Sequence, residues 1–131
     1  MAHTELKQIL VVEDEADIGK IIQVSLINVG GFGVDICSSA HEALKVLQQS
    51  QPDLIILDVM MPVMDGPSFL KEIRQSSTLQ DLPVVFMTAK VQPHEVEEYL
   101  AMGVLGVISK PFDPVSLPDQ IRKLWQSSQI A

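Results

Sequence analysis

A single cysteine in 131 residues leaves no disulfide framework and no thiolate metal site. Cys37 therefore reads as a small buried hydrophobe rather than a redox centre. Positive charge is scarce as well. Nine Lys and Arg stand against seventeen Asp and Glu, a formal net charge of −8, with a pI near 4.6. No basic cluster occurs, so DNA binding by this chain alone and attachment to an anionic membrane are not expected. Apolar runs are short, so no membrane insertion is expected. The opening MAHTELKQ has no long apolar segment, so no secretory leader is expected. Neither repeat, low-complexity tract nor linker divides the sequence. The expectation is one cytoplasmic domain over residues 1–131, with its core at about 7–127.

Hydrophobic residues make up 47% of the chain, ample for one packed core. They fall into two kinds of segment. Short apolar runs at Ile9–Val12, Leu54–Leu57 and Val84–Met87 predict strands, with weaker ones at Val34–Cys37 and Val104–Ile108. Their lack of period-2 alternation says that both faces of the sheet are covered. Between them lie helical stripes: Ile18, Ile21, Ile22, Leu26 and Val29; then Ala40, Ala43, Leu44 and Leu47; then Phe69, Leu70 and Ile73. Val96, Leu100 and Ala101 mark a fourth stripe, and Ile121, Leu124 and Trp125 the last. Five β-α repeats predict an α/β fold with a parallel sheet and helices on both faces. Gly30, Gly31 and Gly33 punctuate the first helix, Gly103 the fourth, and Pro52 and Pro83 precede strands three and four. Two prolines crowd the last helix. Ser116 is expected as its N-cap, with Pro118 in the first turn, Asp119 closing a capping box and Asp113–Val115 as a turn.

Every strand but the second ends in something polar that matters chemically. Glu13 and Asp14 follow the first, Asp58 the third, Thr88 the fourth and Lys110 the fifth. In an open parallel sheet ligands bind outside the carboxyl ends of the strands, so these groups converge on one edge. Three neighbouring carboxylates raise one another's pKa unless a cation joins them. A hard divalent ion with few protein ligands fits, which points to Mg²⁺. Asp58 could then attack phosphorus as a carboxylate nucleophile, with Lys110 and Thr88 holding phosphoryl oxygens. Taken singly, each residue has a plainer reading: Glu13 and Asp14 as helix caps, Thr88 as an N-cap, Lys110 as a solvated cation, Asp65-Gly66 as a turn. Their coincidence at one edge favours chemistry.

The stretches ILVVEDE, PDLIILDVMMPVMDG, VVFMTAK and ISKPF resemble, in order and spacing, the receiver domains of two-component response regulators. That resemblance implies a doubly wound (βα)5 fold with five parallel strands in the flavodoxin-like order 2-1-3-4-5. It implies Asp58 as phospho-acceptor, and Glu13, Asp14, Asp58 and the Met60 carbonyl as Mg²⁺ ligands. Thr88, Ala89 and Lys110 would stabilise the phosphoryl group, and the Lys110–Pro111 peptide would be cis. Met60 and Lys90 take the positions that tune the lifetime of the acyl phosphate, here toward a long one. One departure stands out: the family's aromatic switch position is Val107, so output is expected through the helix-four region or helix one instead of an aromatic flip.

The expected function is thus a phospho-accepting, stand-alone, chemotaxis-regulator-like receiver, not an enzyme beyond its own phosphorylation and dephosphorylation. Its partners would be a sensor histidine kinase or histidine phosphotransfer protein and a downstream protein target, with a monomer or a weak dimer both compatible. Two alternatives differ in class. A pseudo-receiver would only bind protein, but would be expected to lack Asp58, an acid of the pair or Lys110. An Mg²⁺-dependent aspartyl-phosphate phosphatase would need a second acid two residues after Asp58, where Met60 stands. His3, His41 and His94 read as solvated surface, Trp125 as a half-buried anchor, and Met60-Met61 as local packing.

Overall fold

A computed structural model describes residues 5–129. Strands β1 (Gln8–Val12), β2 (Gly33–Cys37), β3 (Leu54–Asp58), β4 (Val84–Thr88) and β5 (Gly106–Ser109) form one parallel sheet in the order 2-1-3-4-5. Helices α1 (Ala16–Val24), α2 (Ala40–Gln49), α3 (Gly66–Arg74), α4 (Pro93–Ala101) and α5 (Leu117–Gln129) connect and follow them.

Alternate residues of each strand face opposite ways, and both sides are apolar. Leu10, Val12, Leu57 and Phe86 join Ala43, Phe69 and Ile73 in one cluster, beneath α2 and α3. Ile9, Val11, Ile56 and Val85 join Ile22, Leu26 and Ile121 in the other, beneath α1 and α5. All five residues of β3 and of β4 are buried. Each fully buried Leu, Ile, Val or Phe contributes about 1.5–3 kcal/mol, which is why β3 and β4 can hold polar residues at their ends. Asp58 and Thr88 are the last residues of these two strands.

Six expectations need correction. The first stripe is split. Ile22 and Leu26 are buried, but Ile21 is 47% exposed and Val29 54%, so the apolar pattern of α1 covers two faces and only one meets the core. Past Val24 the helix widens into a π-helical turn, Ser25–Val29, where the Gly30 N–H reaches the Ser25 carbonyl at 3.1 Å. The buried Ser25 hydroxyl there donates to the Pro114 carbonyl. The fourth stripe is also displaced. No residue of α4 is buried, Leu100 and Ala101 are exposed, Val96 is half-buried, and Tyr99 packs against the cluster beneath α2 and α3.

Strand five starts later than Val104. Gly103 turns the chain at φ +94, and the β4 pairing begins at Gly106 opposite Val85, where Leu124 comes too close for a side chain. At α5 the helix starts just after Ser116, but no capping box forms among the described residues. Ser116 Oγ turns back to the Asp113 carbonyl, Asp113 Oδ1 takes the Val115 N–H at 3.0 Å, and Asp119 pairs with Arg122. Trp125 is buried, not half-buried, and Met60 is exposed where Met61 is packed. Cys37 is buried, and His41 and His94 are exposed; His3 lies outside the described residues.

Candidate functional site

Glu13 directly follows β1, whose ladder to β2 extends one bond further as the Glu13 N–H meets the Cys37 carbonyl at 2.9 Å. Lys110 directly follows β5 in the same way, its N–H bonded to the Thr88 carbonyl at 2.9 Å. Asp58 sits between them on β3. The sheet therefore sets all three side chains on one edge before any ligand is considered.

Glu13 and Asp58 are buried, at 2% and 4% exposure. Oxygens of Glu13, Asp14 and Asp58 lie within 4.8 Å of one another. The Lys110 ammonium bridges two of them, 2.6 Å from Glu13 Oε1 and 3.2 Å from Asp58 Oδ1. Asp58 Oδ1 also accepts the Met60 N–H at 3.2 Å. Burial, together with the neighbouring Asp58 carboxylate, pushes Glu13 up to about 7 in spite of Lys110. Burial works against the Lys110 ammonium, but Glu13 and Asp58 outweigh it and raise its pKa. One buried oxygen, Asp14 Oδ1, has no hydrogen-bond partner.

That unpartnered oxygen and the high Glu13 pKa describe a site short of positive charge. A hard cation would satisfy both, and the donors present are the oxygens that such an ion takes. Glu13, Asp14 and Asp58 thus fit a divalent ion, with the Met60 carbonyl on the next turn of chain.

The β3–α3 loop is braced from below. Asp65 caps α3, accepting the Ser68 N–H at 2.8 Å, and the Gly66 N–H bonds the Val59 carbonyl at 3.0 Å. A Cβ at Gly66 would lie 2.7 Å from the Asp58 carbonyl oxygen, so only glycine lets α3 start this close. In the same loop Val63, fully exposed, adopts φ 69, a conformation that β-branched residues avoid.

Thr88 is 1% exposed, and its hydroxyl accepts the Lys90 N–H at 3.0 Å. The Lys90 side chain itself is exposed beside the pocket. Ala89 and Lys110 line an apolar hollow of about 410 Å³ with Ile18, Ile21, Phe112 and Pro114. The Lys110–Pro111 peptide is cis. Val107 lies on β5 opposite Phe86. Two residues escaped the sequence reading. Val63 gave no signal, because its side chain argues against its backbone. Tyr99 had one, as the sole tyrosine and three residues past Val96.

Residues 9–122 match the response regulator receiver domain family. The chain belongs to that family. Among curated relatives of this receiver, response regulator Rre1 of Synechocystis sp. is 38% identical over 123 residues, which are 94% of this chain and 53% of that protein. The alkaline phosphatase synthesis transcriptional regulatory protein PhoP of Bacillus subtilis is 35% identical over 95% of this chain and 51% of its own length. The chain thus spans about half the length of the curated relatives it matches. Several of those are named transcriptional regulators, so they lend no support to the expectation that nucleic acid plays no part. By structure, the receiver is similar to the chemotaxis response regulator CheY4 of Vibrio cholerae, with a TM-score of 0.83 at 31% identity, covering 92% of this chain and 99% of that one. No helix among the described residues is long and apolar enough to cross a membrane.

Proposed function

We propose that this receiver takes a phosphoryl group onto Asp58 from a phosphohistidine of a sensor kinase or phosphotransfer protein, with Mg²⁺, and thereby switches a protein-binding surface. The observation that supports it most is the junction of Asp58 with two further carboxylates inside 4.8 Å and Lys110 at 3.2 Å. Glu13, Asp14, Asp58 and the Met60 carbonyl would hold the ion, which when bound supplies positive charge to the phosphoryl oxygens. An Asp58 oxygen attacks phosphorus, the new O–P bond forms as the donor's P–N bond breaks, and the imidazole leaves with that electron pair. Lys110, freed from Glu13 and Asp58, neutralises a phosphoryl oxygen, and Thr88 donates to another.

The donor's approach is suggested by the exposed apolar groove beside the site. Ile21, Val24, Val29 and Val115 line a hollow of about 260 Å³ that adjoins the one reaching Lys110 and Ala89. Such a face suits a helix that carries the phosphohistidine. The protein is read as cytoplasmic and as no enzyme beyond its own phosphorylation and dephosphorylation. Where a phosphatase would need a second acid stands Met60, whose exposed thioether offers no general acid, which disfavours the phosphatase alternative. Retention of Asp58, both acids and Lys110 disfavours a pseudo-receiver.

Incubation with Mg²⁺ and acetyl phosphate should add one phosphoryl group by intact mass. Asp58→Asn and a magnesium-free sample should add none. An unmodified wild type with Mg²⁺ bound would overturn the phospho-acceptor assignment and favour a protein-binding module. Slow loss of the added mass would support the long lifetime expected from Met60 and Lys90.

A further inference from the structure

A cavity of about 530 Å³ opens at the starts of β1 and β2, the pole of the sheet opposite Asp58. The length of β1 separates it from Glu13, roughly 16 Å at about 3.3 Å per residue of parallel strand. Leu6, Phe32 and Trp125 supply apolar wall, and Lys7 and Arg122 bring positive charge to it. Small-molecule pockets of this size pair an apolar lining with a few fixed polar groups.

The wall is already set. Phe32 and Trp125 are 6% and 7% exposed. The Arg122 guanidinium lies over the Phe32 ring, 4.5 Å from its centroid, and donates to the Gly30 carbonyl. That bond uses one of five N–H groups, and the side chain is still 42% exposed. Arg122 is thus aimed before any ligand arrives and has little freedom to lose on binding. Backbone donors at this pole are taken: the N–H groups of Lys7 and Gln8 go to Asp53 Oδ2 at 3.0 and 2.9 Å, and that of Gly33 to the Lys7 carbonyl at 2.8 Å. What the cavity has left to offer an anion is side-chain charge.

That charge runs against the composition of the chain. Acids outnumber cations seventeen to nine overall, yet two cations and one acid, Glu5, line this cavity. Asp53 is engaged by the two strand N–H groups. Asp119, 3.9 Å from Arg122, is 77% exposed and screened by water. We propose that the cavity binds a small aromatic carboxylate, with its ring against Trp125 and Leu6 and its carboxylate on the Arg122 guanidinium, Lys7 adding charge from the rim. Such a site is separate from the phosphoryl chemistry and does not depend on it.

Trp125 is the only tryptophan, so 5-fluorotryptophan labelling gives one ¹⁹F resonance on the cavity wall. The labelled protein is titrated with 2-naphthoate and, separately, with 2-naphthamide, which keeps the shape and lacks the charge. The resonance is expected to move saturably with 2-naphthoate, at an affinity about 10-fold or more above that for the amide, as a hydrogen bond to a charged group implies. Arg122→Gln should lose a similar factor and Lys7→Gln a smaller one. Lys45→Gln, the same change of charge at an exposed position of α2, should bind as wild type, and so should Asp58→Asn. Thermal unfolding checks that each variant folds; if Arg122→Gln does not, Lys7→Gln and the acid-to-amide ratio decide. An unmoved resonance at millimolar 2-naphthoate, equal affinity for acid and amide, an equal loss in Lys45→Gln, or loss of binding in Asp58→Asn overturns the inference.

Discussion

Helices α3 and α4 lie against the same side of the sheet and are held in opposite ways. Gly66, Phe69, Leu70 and Ile73 of α3 are all buried, and its N-terminus is bonded to the loop that follows Asp58. Helix α4 buries nothing completely, touches the core through half-buried Tyr99, with Met102 just past its end, and leaves Leu100 46% exposed. A hollow of about 370 Å³, lined by Leu70, Arg74 and Met102 among others, separates them. The contrast teaches where a small chemical change can be felt. Energy placed at α3 would have to disturb a packed core, whereas α4 is attached through half-buried contacts alone.

The largest test of that contrast is truncation. Phe69→Ala should cost about 3–5 kcal/mol by denaturant unfolding, the usual range for a fully buried phenylalanine. Leu100→Ala should stay within about 0.5 kcal/mol. Similar costs at both positions would remove the distinction. Next in size, Gly66→Ala forces a Cβ against the Asp58 carbonyl, 2.7 Å away, and should destabilise by about 1–3 kcal/mol while slowing phosphorylation. A variant as stable and as fast as wild type would show that α3 is not braced against the site.

Smaller again is Tyr99→Leu, which removes the edge-on ring contact with Phe86 and should lose about 1 kcal/mol and speed amide exchange along α4 while leaving α3 unchanged. Uniform loss of protection across both helices would mean that they open together. The finest probe is thiol chemistry. Cys37 lies in the same apolar cluster as α3, and burial, with Glu42 and Asp35 near, pushes its thiol from 9.0 up to about 11. The neutral thiol is the form favoured by folding, so this contribution to stability is whole below pH 9 and is lost as pH rises toward 11. Alkylation of native Cys37 at neutral pH should accordingly wait for opening of that core, while a Leu100→Cys thiol on α4 should react at once. Equal rates would contradict the contrast.

Strands were easy to read from the sequence because burial on both faces leaves unbroken apolar runs. The site was legible for a related reason: a carboxylate, hydroxyl or ammonium at the end of such a run has only one edge of the sheet to occupy. The order of the strands came from the family resemblance, and the sheet follows it. Helix faces were harder. Ile21 and Val29 are as apolar as Ile22 and Leu26, and composition cannot tell a face that meets the core from one left open to solvent. On α4 the pairs Val96–Leu100 and Val96–Tyr99 both satisfy helical spacing, and packing against Phe86 chose the second.

The sequence alone determined the five β-α repeats, the edge on which Glu13, Asp14, Asp58, Thr88 and Lys110 meet, and the lack of an aromatic at position 107. These depend on local pattern and on chain direction, which hydrophobic periodicity records. Only the tertiary structure decided that Asp14 keeps a buried oxygen without a partner, that Lys110 is shared between Glu13 and Asp58, and that the Tyr99 ring stands edge-on to Phe86. Such facts turn on ångström-scale distances between side chains on separate elements, and those distances are set by how the helices settle on the sheet.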